Sequence, residues 1–238
     1  LNSKPVMLSA PMDIQQQEFE DDDPYVTSAT LMPSLQMRPD PDVVERAADR
    51  LSKAKHPIIL VGRGAMWSGA GDAIKKLAER SGALIITTLM AKTWLSEDDF
   101  HLGVSGTYAT KTAMELCEEA DCVVAIGASL NRYTTEHGYL YANAKFIHID
   151  AKQHVMLHGT TAADIYMQAD AKIGTEALEG VLAKRNFKQT GYRTGEVRER
   201  LGNAWEDRHE FEIEPNTVDP RQTVLALDEV VPDSVGLF

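Results

Sequence analysis

The chain has 238 residues, enough for one large α/β domain or for one domain of ordinary size with extensions. Its formal net charge of −12, with no clustered Lys/Arg face, argues against nucleic acid as a partner, because a phosphate backbone needs a basic surface. No apolar run approaches the ~20 residues of a membrane-spanning helix and no signal-peptide pattern opens the chain, so no membrane partner and a cytoplasmic location are expected.

From the start, Pro5 to Asp13 reads as a short apolar strand ended by proline, the close of a preceding domain. Gln15 to Pro41 has no sustained period and contains the acidic residues Glu18 and Glu20 to Asp23, the mark of a solvated linker. From Asp42 the pattern turns helical, with Val43, Val44, Ala47, Ala48 and Leu51 on one face, Asp40 or Asp42 as N-cap and Pro41 in the first turn. Ile58 to Val61 is continuously apolar, as in a parallel strand covered on both faces. Gly62 and Gly64 follow it, permitting a sharp turn and close approach to a ligand, and Ser68 suits the N-cap of a helix through Ile74, Leu77 and Ala78 to Gly82.

Ala83 to Thr88 is a second strand, whose terminal Thr87 and Thr88 place hydroxyls at the carboxyl edge of the sheet, where open α/β sheets bind ligands. A loop from Leu89 to Trp94, a short strand or turn from Phe100 to Gly106 and a helix from Thr107 to Glu119 follow, with Ala109, Ala113, Leu116 and Ala120 inward. Asp121 to Ala128 is the clearest strand. The loop Ser129 to Thr135 is rich in hydrogen-bonding groups, Lys145 to Asp150 and Ile165 to Asp170 are further strands, and Lys172 to Lys184 is a helix. The alternation over 42–185 implies parallel strands joined by right-handed crossovers, hence a three-layer α/β/α domain with a Rossmann-like sheet, flanked by linker segments. Residues 1–41 then form the end of a preceding domain plus linker, and 186–238 a second linker, helical near Glu196 to Glu210, and the start of a following domain.

Cys117 and Cys122 have no second pair to complete a zinc site and read as reduced, buried thiols. His154 and His158 share a helical spacing but lack a third ligand, so they read as surface residues rather than a metal site. His148 and Asp150, two apart on a strand, lie toward one side of the sheet, and Met66 and Trp67 read as packing residues.

Several of these stretches, in this order, resemble a known family. Pro5 to Gln15 is similar to the segment that closes the pyrimidine-binding domain of thiamine diphosphate-dependent 2-oxo acid enzymes. Ala54 to Ala65 with Ser68-Gly69-Ala70 resembles the opening of their central domain. Ala120 to Ala128 and Ala144 to Asp150 look like its later strands, and Val218 to Arg221 through Asp233 resembles the entry to the diphosphate-binding domain. Within that family the chain is most like the acetolactate synthases, with the benzoylformate decarboxylase type next.

The resemblance implies a central domain of an enzyme that decarboxylates and ligates 2-oxo acids, a homo-oligomer of at least two copies, and partners in the pyrimidine- and diphosphate-binding domains. Thiamine diphosphate and Mg2+ are held there by an activating glutamate and a Gly-Asp-Gly motif. No Gly-Asp-Gly occurs in this sequence and the glutamate's region would precede Leu1, so no catalytic residue is expected here and this polypeptide is not expected to carry out thiamine chemistry alone. In acetolactate synthases the central domain binds FAD, largely for structural reasons, so the resemblance implies an FAD site in this chain. Carried over by position, the FAD-facing residues are Gly62, Arg63, Gly64, Thr88, Leu89, Met90, Gly103, Gly106, Gly127, Ala128, Ser129, Asp150 and Asp170, with no metal ligand. Two departures stand out: Leu89-Met90-Ala91-Lys92-Thr93 where the synthases resemble Leu-Met-Gly-Lys-Gly, and Gly127-Ala128-Ser129-Leu130-Asn131-Arg132-Tyr133 where they resemble Gly-Ala-Arg-Phe-Asp-Asp-Arg. The alternative is a stand-alone nucleotide-binding or architectural domain without catalysis.

Overall fold

A computed structural model of the chain describes residues 7–18, 20, 24–27, 37–152, 163–202 and 212–232. It divides into two units, residues 1–36 and 37–238. In the first, the strand expected from Pro5 to Asp13 is not formed over its described part. Helix α1 (Met12–Gln15) takes its place, because Pro11 already has φ −56° and its carbonyl accepts from both Ile14 N and Gln15 N at 3.1 Å, a local closure that needs no neighbouring strand.

The second unit begins with α2 (Pro41–Leu51), started as expected by Asp40, whose carboxylate accepts from Asp42 N at 2.8 Å, with Pro41 at the first helical position. Then come β1 (Pro57–Val61), α3 (Arg63–Trp67), α4 (Gly71–Ser81), β2 (Leu84–Thr87), β3 (His101–Val104), α5 (Lys111–Glu118), β4 (Cys122–Ile126), α6 (Arg132–Thr135), β5 (Lys145–Asp150), β6 (Ile165–Gln168), α7 (Ala171–Lys184), α8 (Gly195–Gly202) and α9 (Pro220–Val230). The six strands pair in parallel in the order β3-β2-β1-β4-β5-β6.

Side chains alternate across this sheet and both faces are covered, which is why the strand sequences are continuously apolar. Ile59, Val61, Ile85, Val124, Ile126, Ile147 and Ile149 meet α2, α4 and α7. Ile58, Leu60, Leu84, Ile86 and Val123 meet α5 and the residues that follow α7. Each fully buried Leu or Ile contributes roughly 1.5–3 kcal/mol of transfer free energy, so the two half-cores carry most of the stability.

Two elements differ from what their local sequence suggests. Ser68 does not start a helix: it ends α3, and Gly69 at φ +68° separates α3 from α4. The polar stretch after Arg185 is not a bare linker, because Tyr192, Val197 and Leu201 are buried on the α5 face. Its polar atoms bond to strand and helix ends: Gln189 Nε2 donates to the carbonyls of Ala54 (3.0 Å) and Ser81 (2.9 Å), and Arg193 Nε donates to that of Ala83 (2.7 Å). Arg193 also pairs with Asp98 at 3.0 Å, and Arg80 of α4 with Glu179 of α7 at 2.7 Å. No helix among the described residues is long and apolar enough to cross a membrane.

His101 opens the edge strand β3 with its Nδ1 accepting from Gly103 N at 3.1 Å, and its buried Nε2 has no hydrogen-bond partner among the described residues. Burial holds its pKa below the ordinary histidine value, against the opposing pull of Asp98 and Glu97. The unfolded chain, with the higher pKa, binds the proton first, so this residue withdraws stability as pH falls below about 6.5. The unfolding free energy of wild type minus that of His101→Phe, followed by urea denaturation, is therefore expected to fall as pH is lowered from 7 to 5. A difference that stays constant or rises over that range would contradict this.

Candidate functional site

The order of the sheet reverses between β1 and β4, and the carboxyl ends of these two strands are where a parallel sheet opens a crevice. Their exit turns lie directly on each other. A Cβ built on Gly62 would stand 2.2 Å from the Gly127 carbonyl oxygen, one on Gly64 would stand 2.9 Å from the same oxygen, and one on Gly127 would stand 2.2 Å from Ala65 N. Gly62 itself has φ −108°, which any residue adopts, so space and not conformation demands glycine there. The glycines thus make room for a neighbouring backbone, where the sequence suggests room for a ligand.

The N–H groups of the three glycines, and of two residues that leave β2 and β3, are also committed. Gly62 N donates to Ile126 O (2.9 Å), Gly64 N to Gly127 O (3.0 Å), Gly127 N to Ile149 O (2.8 Å), Thr88 N to Val61 O (2.8 Å) and Ser105 N to Thr87 O (2.8 Å). Gly62, Thr88 and Ser105 each hand their donor to the last carbonyl of the neighbouring strand, and Gly127 hands its own to the penultimate carbonyl of β5. An anionic ligand at this edge would consequently find these five amides engaged and would meet the rim side chains.

Those side chains sit on the rim. Arg63 is exposed, and its guanidinium lies 4.5 Å over the ring of Trp67, one helical turn on. Trp67 is 65% exposed, so it is a stacking surface and not the packing residue its position suggests. Leu89 and Met90, in a 3-10 turn after β2, and Ser129 after β4 are exposed too. Thr88, Ala128, Gly103 and Gly106 are buried. Gly103 holds the β2–β3 irregularity, accepting from Thr87 Oγ1 at 3.1 Å, while Gly106 at φ +91° passes against the Tyr133 carbonyl.

Asp150 ends β5 half-buried, its carboxylate accepting from Lys152 N at 3.0 Å. Asp170 caps α7 by accepting from Lys172 N (3.0 Å) and Ile173 N (3.1 Å), and it takes a third bond from Ser68 Oγ at 2.9 Å. The structure therefore brings Gly62, Arg63, Gly64, Gly127, Ala128 and Ser129 together at the switch point. Thr88, Leu89 and Met90 flank them on β2. Gly103 and Gly106 on one side and Asp150 and Asp170 on the other are strung along an edge that five strand spacings make about 24 Å wide.

Of the two departures from the synthase pattern, Ala91 is 2% exposed, its methyl turned into the protein and away from the rim. Thr93 has φ +68°, a left-handed conformation that a β-branched residue adopts only under strain.

Elsewhere in this unit lie two open cavities, one of about 400 Å3 between Gly82, Gln189 and Arg193, the other of about 450 Å3 between Met37, Tyr166 and Gln168, and neither touches a candidate residue. Cys117 and Cys122 are free and buried, and burial pushes both thiols up to about 12, out of reach of nucleophilic chemistry. His154 and His158 fall outside the described residues, among which no group of three His, Cys, Asp or Glu side chains could hold a metal ion. The Ser68–Asp170 pair was not foreseeable from local pattern, since its partners are 102 positions apart.

The family model for the central domain of thiamine pyrophosphate enzymes matches residues 44–179, the sheet and its crevice included. The acetolactate synthase large subunit of Parasynechococcus marenigrum is 27% identical over 97% of this chain and 37% of its own length. The probable acetolactate synthase large subunit of Methanocaldococcus jannaschii is 31% identical over 71% of this chain and 29% of its own. Among solved structures, the benzoylformate decarboxylase of Polynucleobacter necessarius shares the fold, with a TM-score of 0.60 at 17% identity over 94% of this chain and 39% of that one. The chain thus spans about a third of the length of these curated relatives.

The strain at Thr93 has a measurable consequence. Replacing it with glycine, as in the synthase pattern, is expected to raise unfolding free energy by about 1 kcal/mol, the scale of a relieved left-handed residue. Equal or lower stability of Thr93→Gly in chemical denaturation would contradict this.

Proposed function

This chain belongs to the thiamine pyrophosphate enzyme central-domain family, and from that membership we propose that it serves as the central, non-catalytic domain of an acetolactate synthase-like enzyme, a transferase or lyase acting on 2-oxo acids. The observation that carries the reading is the match over 44–179, extended through nearly the whole chain by a synthase large subunit. The same extension disfavours a stand-alone module, since the similarity runs past the sheet on both sides.

In this reading the carboxyl edge takes FAD, and the residues present fit it through side chains. Arg63 offers charge to a pyrophosphate, the Trp67 ring and the Leu89–Met90 pair offer flat and apolar cover, and Ser129 offers a hydroxyl. Ala91, being buried, does not obstruct them. A bound flavin would supply cover and rigidity to the edge. Thiamine diphosphate and Mg2+ belong to the whole enzyme, and since no Gly-Asp-Gly occurs in this sequence, no step of that chemistry is assigned to these residues.

The reading includes a cytoplasmic location and a homo-oligomer joined with pyrimidine- and diphosphate-binding domains. Exposed Tyr108, Tyr133 and Tyr139 support the subunit contact, being the residue type that interfaces bury. Exposed Val224, Leu225 and Leu227 on α9, capped by Asp219, support a contact with a following domain.

Titration of the purified chain with FAD, read by visible absorbance and by thermal melting, tests the cofactor. A flavin spectrum that stays with the protein is expected, and a melting temperature that climbs with ligand, corresponding to about 2.7 kcal/mol at a hundredfold excess over Kd. A folded chain that shows neither would sink the FAD assignment and leave the domain architectural.

A further inference from the structure

The turn that leaves β4 is held from the next strand by a side chain that the proposed site does not otherwise use. His148 lies in β5 opposite Ala125 of β4 and Tyr166 of β6, and is 1% exposed. Its ring centroid is 5.8 Å from that of Tyr166. Its Nε2 is 3.0 Å from the Ala128 carbonyl oxygen and 3.7 Å from Asp150 Oδ2. Both neighbours are acceptors, so Nε2 carries the proton and donates. A buried carbonyl without a donor is costly, and here the donor reaches across from a different strand.

What this bond fixes is the geometry of the edge. Ala128 stands between Gly127, whose backbone rests against Gly62 and Gly64, and Ser129, which is exposed on the rim. Two residues later Asn131 caps α6 by accepting from Tyr133 N and Thr134 N, and its Nδ2 donates to Ser129 Oγ at 2.9 Å. The 127–131 segment is therefore pinned at both ends, at one by glycine contact and at the other by the cap, and at its middle by His148.

We propose that His148 is a positioning residue of the nucleotide edge: by donating from Nε2 to the Ala128 carbonyl it places Ser129 and, through Gly127, the Arg63–Gly64 turn. The inference deepens the nucleotide reading of the edge and rests on it for the ligand, though not for the bond. Phenylalanine at 148 keeps a ring of similar breadth but removes the donor. Glutamine returns an amide donor at about the reach of Nε2.

The test compares the full 238-residue chain as wild type, His148→Phe and His148→Gln, measuring FAD affinity by flavin fluorescence and amide exchange over 128–131. In H148F, FAD affinity is expected to fall about tenfold and exchange over 128–131 to rise about tenfold, the scale of one lost hydrogen bond, with β1 and α7 amides unchanged. In H148Q both quantities return to within about twofold of wild type. A general packing role would loosen all elements and would not be rescued by glutamine. Should H148F not fold, His148→Asn, whose amide stops short of Ala128, replaces it in the same comparison. Unchanged exchange over 128–131 in the donor-less variant, or failure of H148Q to restore it, overturns the proposal. If wild type binds no FAD, the nucleotide reading falls by itself, and the exchange comparison still decides whether His148 holds the turn.

Discussion

The switch point of this sheet is built on a backbone-to-backbone contact that admits no side chain. Gly62 and Gly64 leave β1, Gly127 leaves β4, and the two turns occupy the volume in which each other's Cβ atoms would lie. Everything at the carboxyl edge is placed relative to that contact. Arg63 and Trp67 project from one side of it, and Ala128 and Ser129 from the other. The amides of Gly62, Gly64, Gly127, Thr88 and Ser105 bond to neighbouring carbonyls, so these positions meet a ligand without a free donor.

Packing on the two faces makes the contact possible. Six parallel strands, buried on both sides, bring β1 and β4 into register over Pro57–Val61 and Cys122–Ile126, so their exits emerge level with one another. Long-range polar bonds then fix the layers. Ser68 at the end of α3 reaches the Asp170 cap of α7, and Arg193 reaches the amino end of β2 and the Asp98 carboxylate. These pairs are half-buried or better, which spares them the screening that makes surface ion pairs nearly neutral.

Where local rules are strong, the sequence was a reliable guide. The strand Lys145–Asp150 and the Asp40-capped helix follow from apolar periodicity and capping chemistry alone, and both form with the anticipated ends or within a residue of them. Ser68 misled because a serine before a helical pattern satisfies the N-cap rule, while its true partner is 102 positions away. The polar stretch around Tyr192 misled because polarity suggests solvent, although here the polar atoms satisfy strand-end carbonyls. For the candidate site, the positions around Gly62 and Gly127 were legible, but their reason was not. A glycine that admits a phosphate and one that admits a neighbouring turn look identical in sequence.

Mutual exclusion of side chains at the β1/β4 exits, and not backbone conformation alone, fixes these glycines. Gly127 and Gly69 separate the two effects, since both have positive φ but only Gly127 lacks space: a Cβ on Gly69 would meet nothing within 4 Å. Urea denaturation of Gly127→Ala and Gly69→Ala measures the difference directly. A loss of about 1–2 kcal/mol is expected for Gly69→Ala, from the left-handed backbone, and an additional loss of about 2 kcal/mol or more for Gly127→Ala, from overpacking. Equal losses in the two variants would contradict it.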